Sequence, residues 1–316
     1  MKEFIINKND SGQRLDKFLQ KAIPLLPQTL LYKYIRLKRI KLNGKKAEIS
    51  TRLNQGDILQ LYINDEFFNQ EQENKFMLAP TNINIVYQDE NIMLIDKKAG
   101  LVVHEDNENS TDTLINRTLH YLYEKGEYNP KDELSFTPAL CNRIDRNTCG
   151  MVIVAKNAES LRLLNQFIKD REIRKFYLCV VDGKMPKKSD TLTHYLIKNE
   201  KENQVKIYDN KINGAKTIIT KYSVLATDQE TSLLEVELLT GRTHQIRAHL
   251  AYIGHPLIGD GKYGSNKINA KYKQKQQLLY SYKLIFDFKD TNNLLSYLKG
   301  KSFIIQDVWF KNNYQK

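Results

Sequence analysis

Hydrophobic and polar positions change period several times along the chain, and each change marks an element. Leu15, Phe18, Leu19, Ala22 and Ile23 recur at the i, i+3, i+4, i+7, i+8 spacing of an amphipathic helix, which Pro24 and Pro27 break. The pattern predicts a second helix over 28–39 that buries Leu31, Tyr34 and Ile35. Residues 40–45 then alternate and turn at Asn43-Gly44, a strong hairpin signal because both residue types tolerate a tight turn's positive φ. Gly56-Asp57 turns into a short strand over 58–63. Asn64 to Pro80 is polar with little periodicity and reads as a linker, its Phe67, Phe68 and Phe76 available to either neighbour.

From Ile83 short strands and helices intersperse. Strands are predicted over 83–87 and 92–96, separated by a turn at Asp89-Glu90-Asn91, and a helix from Thr111 to about Lys125 with an N-cap at Ser110 or Thr111. The apolar run 151–155 is a strand, and Leu161, Leu164, Phe167 and Ile168 share one face of a helix over 157–170. A strand over 173–182 opens a strand-rich stretch in which 215–224 and 232–240 pair as antiparallel neighbours. Residues 242–253 are helical, the Asn- and Lys-rich 265–277 is an exposed loop, and 278–288 is again a strand. This mixture implies an α+β chain with a mixed, largely antiparallel sheet and flanking helices.

Charge alters that picture. The 316 residues carry a formal +12, and residues 1–63 hold 13 Lys and Arg against 5 Asp and Glu. Between Lys17 and Ala47 there are nine basic residues and no acidic one, with Lys33, Arg36, Lys38, Arg39, Lys41, Lys45 and Lys46 crowded on the second helix and its hairpin. A solvated face ordinarily mixes signs, because like charges one helical turn apart repel. A one-sign patch on so small a unit points to phosphates. Three cysteines without a C-x-x-C pair suggest a reducing compartment, and the six histidines show no metal-ligand spacing. No run approaches the ~18–20 apolar residues of a membrane helix, so the expectation is a cytoplasmic protein without a membrane partner.

Candidate chemistry centres on Cys141-Asn-Arg-Ile-Asp-Arg-Asn-Thr-Cys-Gly150, where Asp145 lies between Arg143 and Arg146 on a turn before the apolar strand. Neighbouring cations favour an ionised carboxylate, which serves either as a nucleophile or as a salt-bridged turn residue. Two more stretches add to it. Arg171-Glu-Ile-Arg-Lys-Phe-Tyr177 puts a tyrosine at the head of a strand among cations, and Thr240-Gly-Arg-Thr-His-Gln-Ile-Arg247 gathers Arg242, Thr243 and Arg247 near a helix start. We count Arg242 among the RNA-contacting candidates. The Gly-rich His255–Gly264 lacks the G-K-[ST] ending of a phosphate loop.

In this order, N-R-I-D-R-N-T-C-G, R-K-F-Y, T-G-R-T-H-Q-I-R-A-H-L and G-H-P-L-I-G-D resemble the RluA/RluD-type pseudouridine synthases over roughly 83–290. Arg14-Leu-Asp-Lys-Phe-Leu19, the basic helix, Ile40–Gly44 and Gly56–Ile58 resemble the small RNA-binding domain named after ribosomal protein S-four. The resemblance implies a small basic RNA-binding domain over 12–63, a linker over 64–80 and a catalytic domain over 81–316. It implies an isomerase turning uridine in RNA into pseudouridine, with Asp145 attacking the flipped nucleotide and Tyr177 stacking on the uracil and assisting proton removal. Arg247 would salt-bridge the aspartate, Ile246 wall the base and Arg143 fill the space the base vacates. Lys33, Arg36, Lys38 and Arg39 would dock structured RNA by backbone and shape. No metal or other cofactor is implied, and the expected partner is RNA, foremost large-subunit ribosomal RNA, bound by a monomer with no obligate protein partner. Asn142, Ile144 and Cys149 depart from the family's usual His, Leu and Ser, and Lys98 from a common Pro. A synthase acting on transfer RNA, a glycosidase-like hydrolase and a ribosome-assembly factor without catalysis are the competing readings. The hydrolase would need a second carboxylate at the site, and the resemblance assigns that role to no residue.

Overall fold

The computed structural model describes residues 1–68, 74–105 and 110–314. An N-terminal unit comprises β1 (Lys2–Ile5), α1 (Leu15–Ala22), α2 (Gln28–Arg36), β2 (Ile40–Leu42), β3 (Lys45–Lys46) and β4 (Ile58–Leu61). Its four-stranded sheet runs β1-β4-β2-β3, and Leu15, Phe18, Leu19, Leu31, Tyr34 and Ile35 from the two helices are buried against it. The first strand was not anticipated, because residues 2–5 are too few to display a period. The second helix stops at Arg36, short of the expected 39, because Lys38 takes a left-handed φ of 59°. Lys38 and Arg39 therefore stand on the exposed turn after the helix, beside exposed Lys33 and Arg36.

Residues 69–73 of the expected linker lie outside the described residues. Flanking them are two 3-10 turns, Asp65–Phe68 and Lys75–Leu78. Phe67 and Phe68 pack on the N-terminal core, whereas Phe76 is buried in the core that follows.

The larger part begins with β5 (Asn84–Gln88), β6 (Ile92–Lys97), α3 (Leu114–Glu124), β7 (Ala139–Leu140), β8 (Cys149–Ala155) and α4 (Ala158–Lys169). It continues with β9 (Ile173–Asp182), β10 (Ser189–Asn199), β11 (Gln204–Tyr208), β12 (Lys216–Thr227) and β13 (Thr231–Leu238). The last elements are α5 (Gln245–Tyr252), α6 (Asn266–Lys271), β14 (Leu279–Phe286) and β15 (Ser302–Ile304). The sheet has eleven strands in the order β11-β10-β12-β13-β9-β14-β8-β6-β5, with β15 on β14 and β7 on β8. The pair β14–β8 is parallel and the other pairs are antiparallel. This is the mixed, largely antiparallel α+β arrangement expected, including the β12–β13 pair. α3 starts three residues later than expected, because Thr113 rather than Ser110 or Thr111 caps it, accepting from the Asn116 N–H. The stretch 265–277 is not wholly a loop: Ser265 caps the short α6, and Gln277 is buried.

One close approach positions the site. Ser281 on β14 is register partner to Gly150 on one side and to Tyr177 on the other. The turn bearing Asp145 and the strand bearing Tyr177 thus flank one strand, two strand spacings or roughly 10 Å apart. Gly150 has φ 113°, and a Cβ there would be driven into the Ser281 carbonyl. Glycine is what lets β8 start beside β14.

Candidate active site

Asp145 sits on the turn that feeds β8, closed by a Thr148 N–H to Asp145 carbonyl bond of 3.0 Å. A second turn braces it. Buried Lys97 points its Nζ at the carbonyls of Lys98, Leu101 and Arg146, at 2.9, 2.8 and 2.9 Å. Gly100 N–H also donates to the Arg146 carbonyl (2.9 Å), and Arg146 Nε donates to the Gly100 carbonyl (3.2 Å). Arg146, without an assigned part in the sequence reading, thereby ties the Gly100 turn to the Asp145 turn. Burial, against the pull of nearby Cys149, Asp145 and Asp96, brings the Lys97 ammonium down to about 8. On the far side of the turn, Gln277 Nε2 donates to buried Thr148 Oγ1 (2.6 Å).

The ion pair that Asp145 makes comes from far along the chain. Arg247 Nη1 is 2.9 Å from Asp145 Oδ2, and the same guanidinium grips Asp260 through Nε and Nη2 at 2.7 and 2.9 Å. The Asp260 side chain is fully buried and also accepts from the N–H groups of Lys262 and Tyr263. Burial alone would raise its pKa, but the Arg247 hydrogen bonds and charge outweigh burial and hold it below the usual carboxylate range. Arg247 is in turn held protonated more firmly than a free guanidinium, burial notwithstanding, by Asp260 and Asp145. The structure thus brings a second carboxylate to the site, Asp260, the last residue of the G-H-P-L-I-G-D run. Asp260 is bonded bidentately and kept ionised, so it has no proton to give as the general acid of a hydrolase.

Tyr177 lies in the same apolar cluster as Ile144 and Ile246. Burial first, and then the Asp145 charge, push its phenol up to about 12 despite a hydrogen bond to Ser281, so it keeps its proton at any working pH. These side chains line one cleft of about 910 Å³, near the upper end of the roughly 300–1,000 Å³ of ligand sites. Asp145, Tyr177, Arg247, Arg143, Ile246 and Arg242 all face it. Arg143 and Arg242 are exposed at its mouth, and Lys175, Lys198 and Lys262 add positive charge to its walls. Lys33, Arg36, Lys38 and Arg39 belong to the N-terminal unit and are not part of this cleft.

The departures from the family motif have local explanations. Asn142 Oδ1 accepts from the Ile153 N–H (2.8 Å) and its Nδ2 donates to the Met151 carbonyl (3.4 Å), so it pins the approach to β8. Ile144 is buried, as a Leu would be. Cys149 is buried and Cys141 half-buried; burial raises both thiols, Cys141 to about 12, so neither supplies a thiolate. The sequence reading missed Lys97, His244, Asp260 and Tyr263. All four fall inside stretches it had quoted or bordered, but their partners are up to a hundred residues away and no local spacing announces them.

A sequence model of the RNA pseudouridylate synthase family matches residues 91–252. An RNA pseudouridine synthase of Mycoplasma genitalium, itself uncharacterised, is 32% identical over 98% of this chain and 97% of its own length. The ribosomal large subunit pseudouridine synthase C of Rickettsia bellii is 34% identical over 81% of this chain and 84% of its own. Among solved structures, human RNA pseudouridylate synthase domain containing 4 superimposes with a TM-score of 0.57 at 19% identity, covering 72% of this chain and 89% of that one. Human RNA pseudouridylate synthase domain containing 1 gives 0.53 at 21% identity, over 74% and 94%. At such identities these two establish the fold.

Proposed function

This chain belongs to the RNA pseudouridylate synthase family, an isomerase acting on RNA, and from that premise we propose that it modifies uridines of large-subunit ribosomal RNA with Asp145 as the attacking carboxylate. The ribosomal target is suggested by the similarity to synthases named for the ribosomal large subunit. In the reaction, uracil leaves ribose C1′ through N1 and returns through C5, C5 gives up a proton and N1 gains one. No atom is added or lost.

The observation that carries the assignment is the Arg247 to Asp145 pair at 2.9 Å on the floor of a cationic cleft. Arg247 holds the Asp145 carboxylate in position, and Asp260 keeps Arg247 in place. The target base must be swung out of its stack at a cost of a few kcal/mol. In our reading Tyr177 returns ~1–3 kcal/mol of that by stacking, Ile246 closes the apolar wall, and exposed Arg143 takes the place the base leaves in the RNA. Arg242 holds phosphate at the mouth. The first sixty or so residues act as an RNA-docking module through Lys33, Arg36, Lys38 and Arg39, and residues 81–316 as the catalytic domain. The protein works as a monomer in the cytoplasm. Among the described residues no helix is long and apolar enough to cross a membrane.

The test compares ribosomal RNA from cells with and without the gene, mapped for pseudouridine by carbodiimide-stop sequencing. A large-subunit site should vanish with the gene, return with the intact protein and stay absent with Asp145→Asn. Persistence of every site without the gene, or restoration by D145N, would sink the proposal.

A further inference from the structure

We propose that His244 is a positioning residue for Asp145: a neutral imidazole, locked by Tyr263 as its Nε2–H tautomer, that gives the carboxylate a second donor beside Arg247. The inference rests on the reading of Asp145 as the attacking group and adds how that group is aimed.

His244 occupies the residue before α5 with φ 52° and ψ 17°, a left-handed conformation that is uncommon and strained for a residue with a Cβ. The surroundings hold it there. Gln245 Oε1 accepts from the Arg242 N–H (3.2 Å) and from Thr240 Oγ1 (2.9 Å), while its Nε2 donates to the Ile219 carbonyl (3.1 Å) and Thr220 Oγ1 (3.0 Å). The loop 240–244 is laced to the sheet, and His244 takes up the turn that remains. Strain of this kind at a cleft is a pointer to function, and the direction of the ring says which.

His244 Nδ1 lies 2.9 Å from the Tyr263 hydroxyl, and His244 Nε2 lies 3.9 Å from Asp145 Oδ2. The Tyr263 oxygen already accepts from the Val205 N–H at 2.9 Å. Its own proton is therefore free to go to Nδ1, which places the imidazole proton on Nε2, facing the carboxylate. The opposite tautomer would set two donors on the phenol oxygen, strand the phenol's proton, and turn an Nε2 lone pair toward the oxygen lone pairs of Asp145. Burial, with Arg247 and Lys262 nearby, lowers the imidazole's pKa against the opposing pull of Asp145 and Asp260, so the ring is neutral at neutral pH. Tyr263 serves both donors, since the Arg247 guanidinium lies over its ring at 5.3 Å from the centroid. Arg247 bonds Oδ2 and the His244 Nε2 faces the same oxygen, which leaves Oδ1 as the oxygen presented to the substrate carbon. A spacing of 3.9 Å is a contact waiting to tighten, as hydrogen bonds in unliganded sites commonly do when substrate binds.

The tautomer is read by ¹⁵N-edited NMR of the imidazole in the full-length protein, and the positioning by single-turnover tritium release from large-subunit ribosomal RNA labelled at uracil C5. The wild-type protein should show the Nε2–H pattern, and Tyr263→Phe should lose it. His244→Ala should slow the single-turnover rate about tenfold or more, the size of a hydrogen bond to a charged group, with RNA affinity unchanged. His244→Gln, whose amide nitrogen can reach the place of Nε2, should recover most of the rate. An Nδ1–H pattern in the wild type, or an H244A rate equal to wild type, overturns the inference. If H244A fails to fold, Y263F carries the kinetic arm and should slow the rate severalfold; an unchanged Y263F rate overturns it equally. Asp145→Asn in the same assay separates the two ideas: a dead D145N beside a normal H244A rejects only the role of His244, and an active D145N rejects the attack by Asp145.

Discussion

At the scale of the residue, the site is a chain of charges, Asp145–Arg247–Asp260, with one end in the cleft and the other fully buried. Arg247 has two carboxylates for one guanidinium, so each removal has a different cost. Asp260→Asn leaves a buried cation with its inner partner neutralised, and breaking a buried pair costs about 3–5 kcal/mol. Denaturant unfolding should show a loss of that order, and turnover by the surviving folded protein should fall because Arg247 is no longer held in place against Asp145. A variant as stable as wild type would mean that the inner pair contributes nothing. Asp145, Tyr177 and Arg247 were legible in the sequence because each stands in a contiguous run whose order is informative. Asp260 and His244 stand in equally visible runs, yet their meaning is a contact. Asp260 acts through Arg247 thirteen positions earlier in the chain, and His244 acts through the hydroxyl of Tyr263.

Among elements, the apolar runs gave away most of the strands, since β6 and β8 are buried along almost their whole length and β9 from Phe176 to Val181, and these stretches read as continuous hydrophobic segments. The bounds of β9 coincide with the expected 173–182. Short or polar elements escaped: β1 has four residues and one buried position, and α6 buries none. The order of strands escaped too, because the insertion of β14 between β9 and β8 joins segments more than a hundred residues apart. That insertion depends on Gly150. Gly150→Ala would require a left-handed backbone with a side chain and a shift of β14 away from β8, together roughly 2–6 kcal/mol. Thermal unfolding should show a large loss, and any folded fraction should be slow, because the turn that carries Asp145 ends at this residue. A G150A protein that melts and turns over like wild type would refute this account of how Asp145 and Tyr177 are brought together.

For the molecule as a whole, the junction of the N-terminal unit with the rest is polar and carries two acids. Asn9 Nδ2 donates to Glu133 Oε1 (2.6 Å), Asn9 Oδ1 accepts from the Ala158 N–H (3.1 Å), and Ser135 Oγ accepts from Gln13 (2.8 Å) while donating to Asp10 Oδ1 (2.6 Å). Asp10 is fully buried, and among the described residues its Oδ2 and Glu133 Oε2 have no hydrogen-bond partner. Burial raises both carboxyls. Hydrogen bonds from Ser135 and Asn7, with the Lys21 charge, only partly offset it at Asp10, and the charges of Asp10 and Asp132 push Glu133 further up. A carboxyl raised on folding binds its proton more tightly in the folded state, so its contribution is fully present below the unfolded pKa and is lost as pH rises through the folded one. The junction should therefore hold best at mildly acidic pH and be weakest where both acids are ionised. Asp10→Asn keeps the shape and the acceptor for Ser135 but removes the charge. It should stabilise the protein at pH 7.5, because a neutral amide then stands in place of a buried carboxylate, and change little near pH 4. Calorimetric unfolding at the two pH values reads this directly; equal effects at both would show that the acids ionise there without cost.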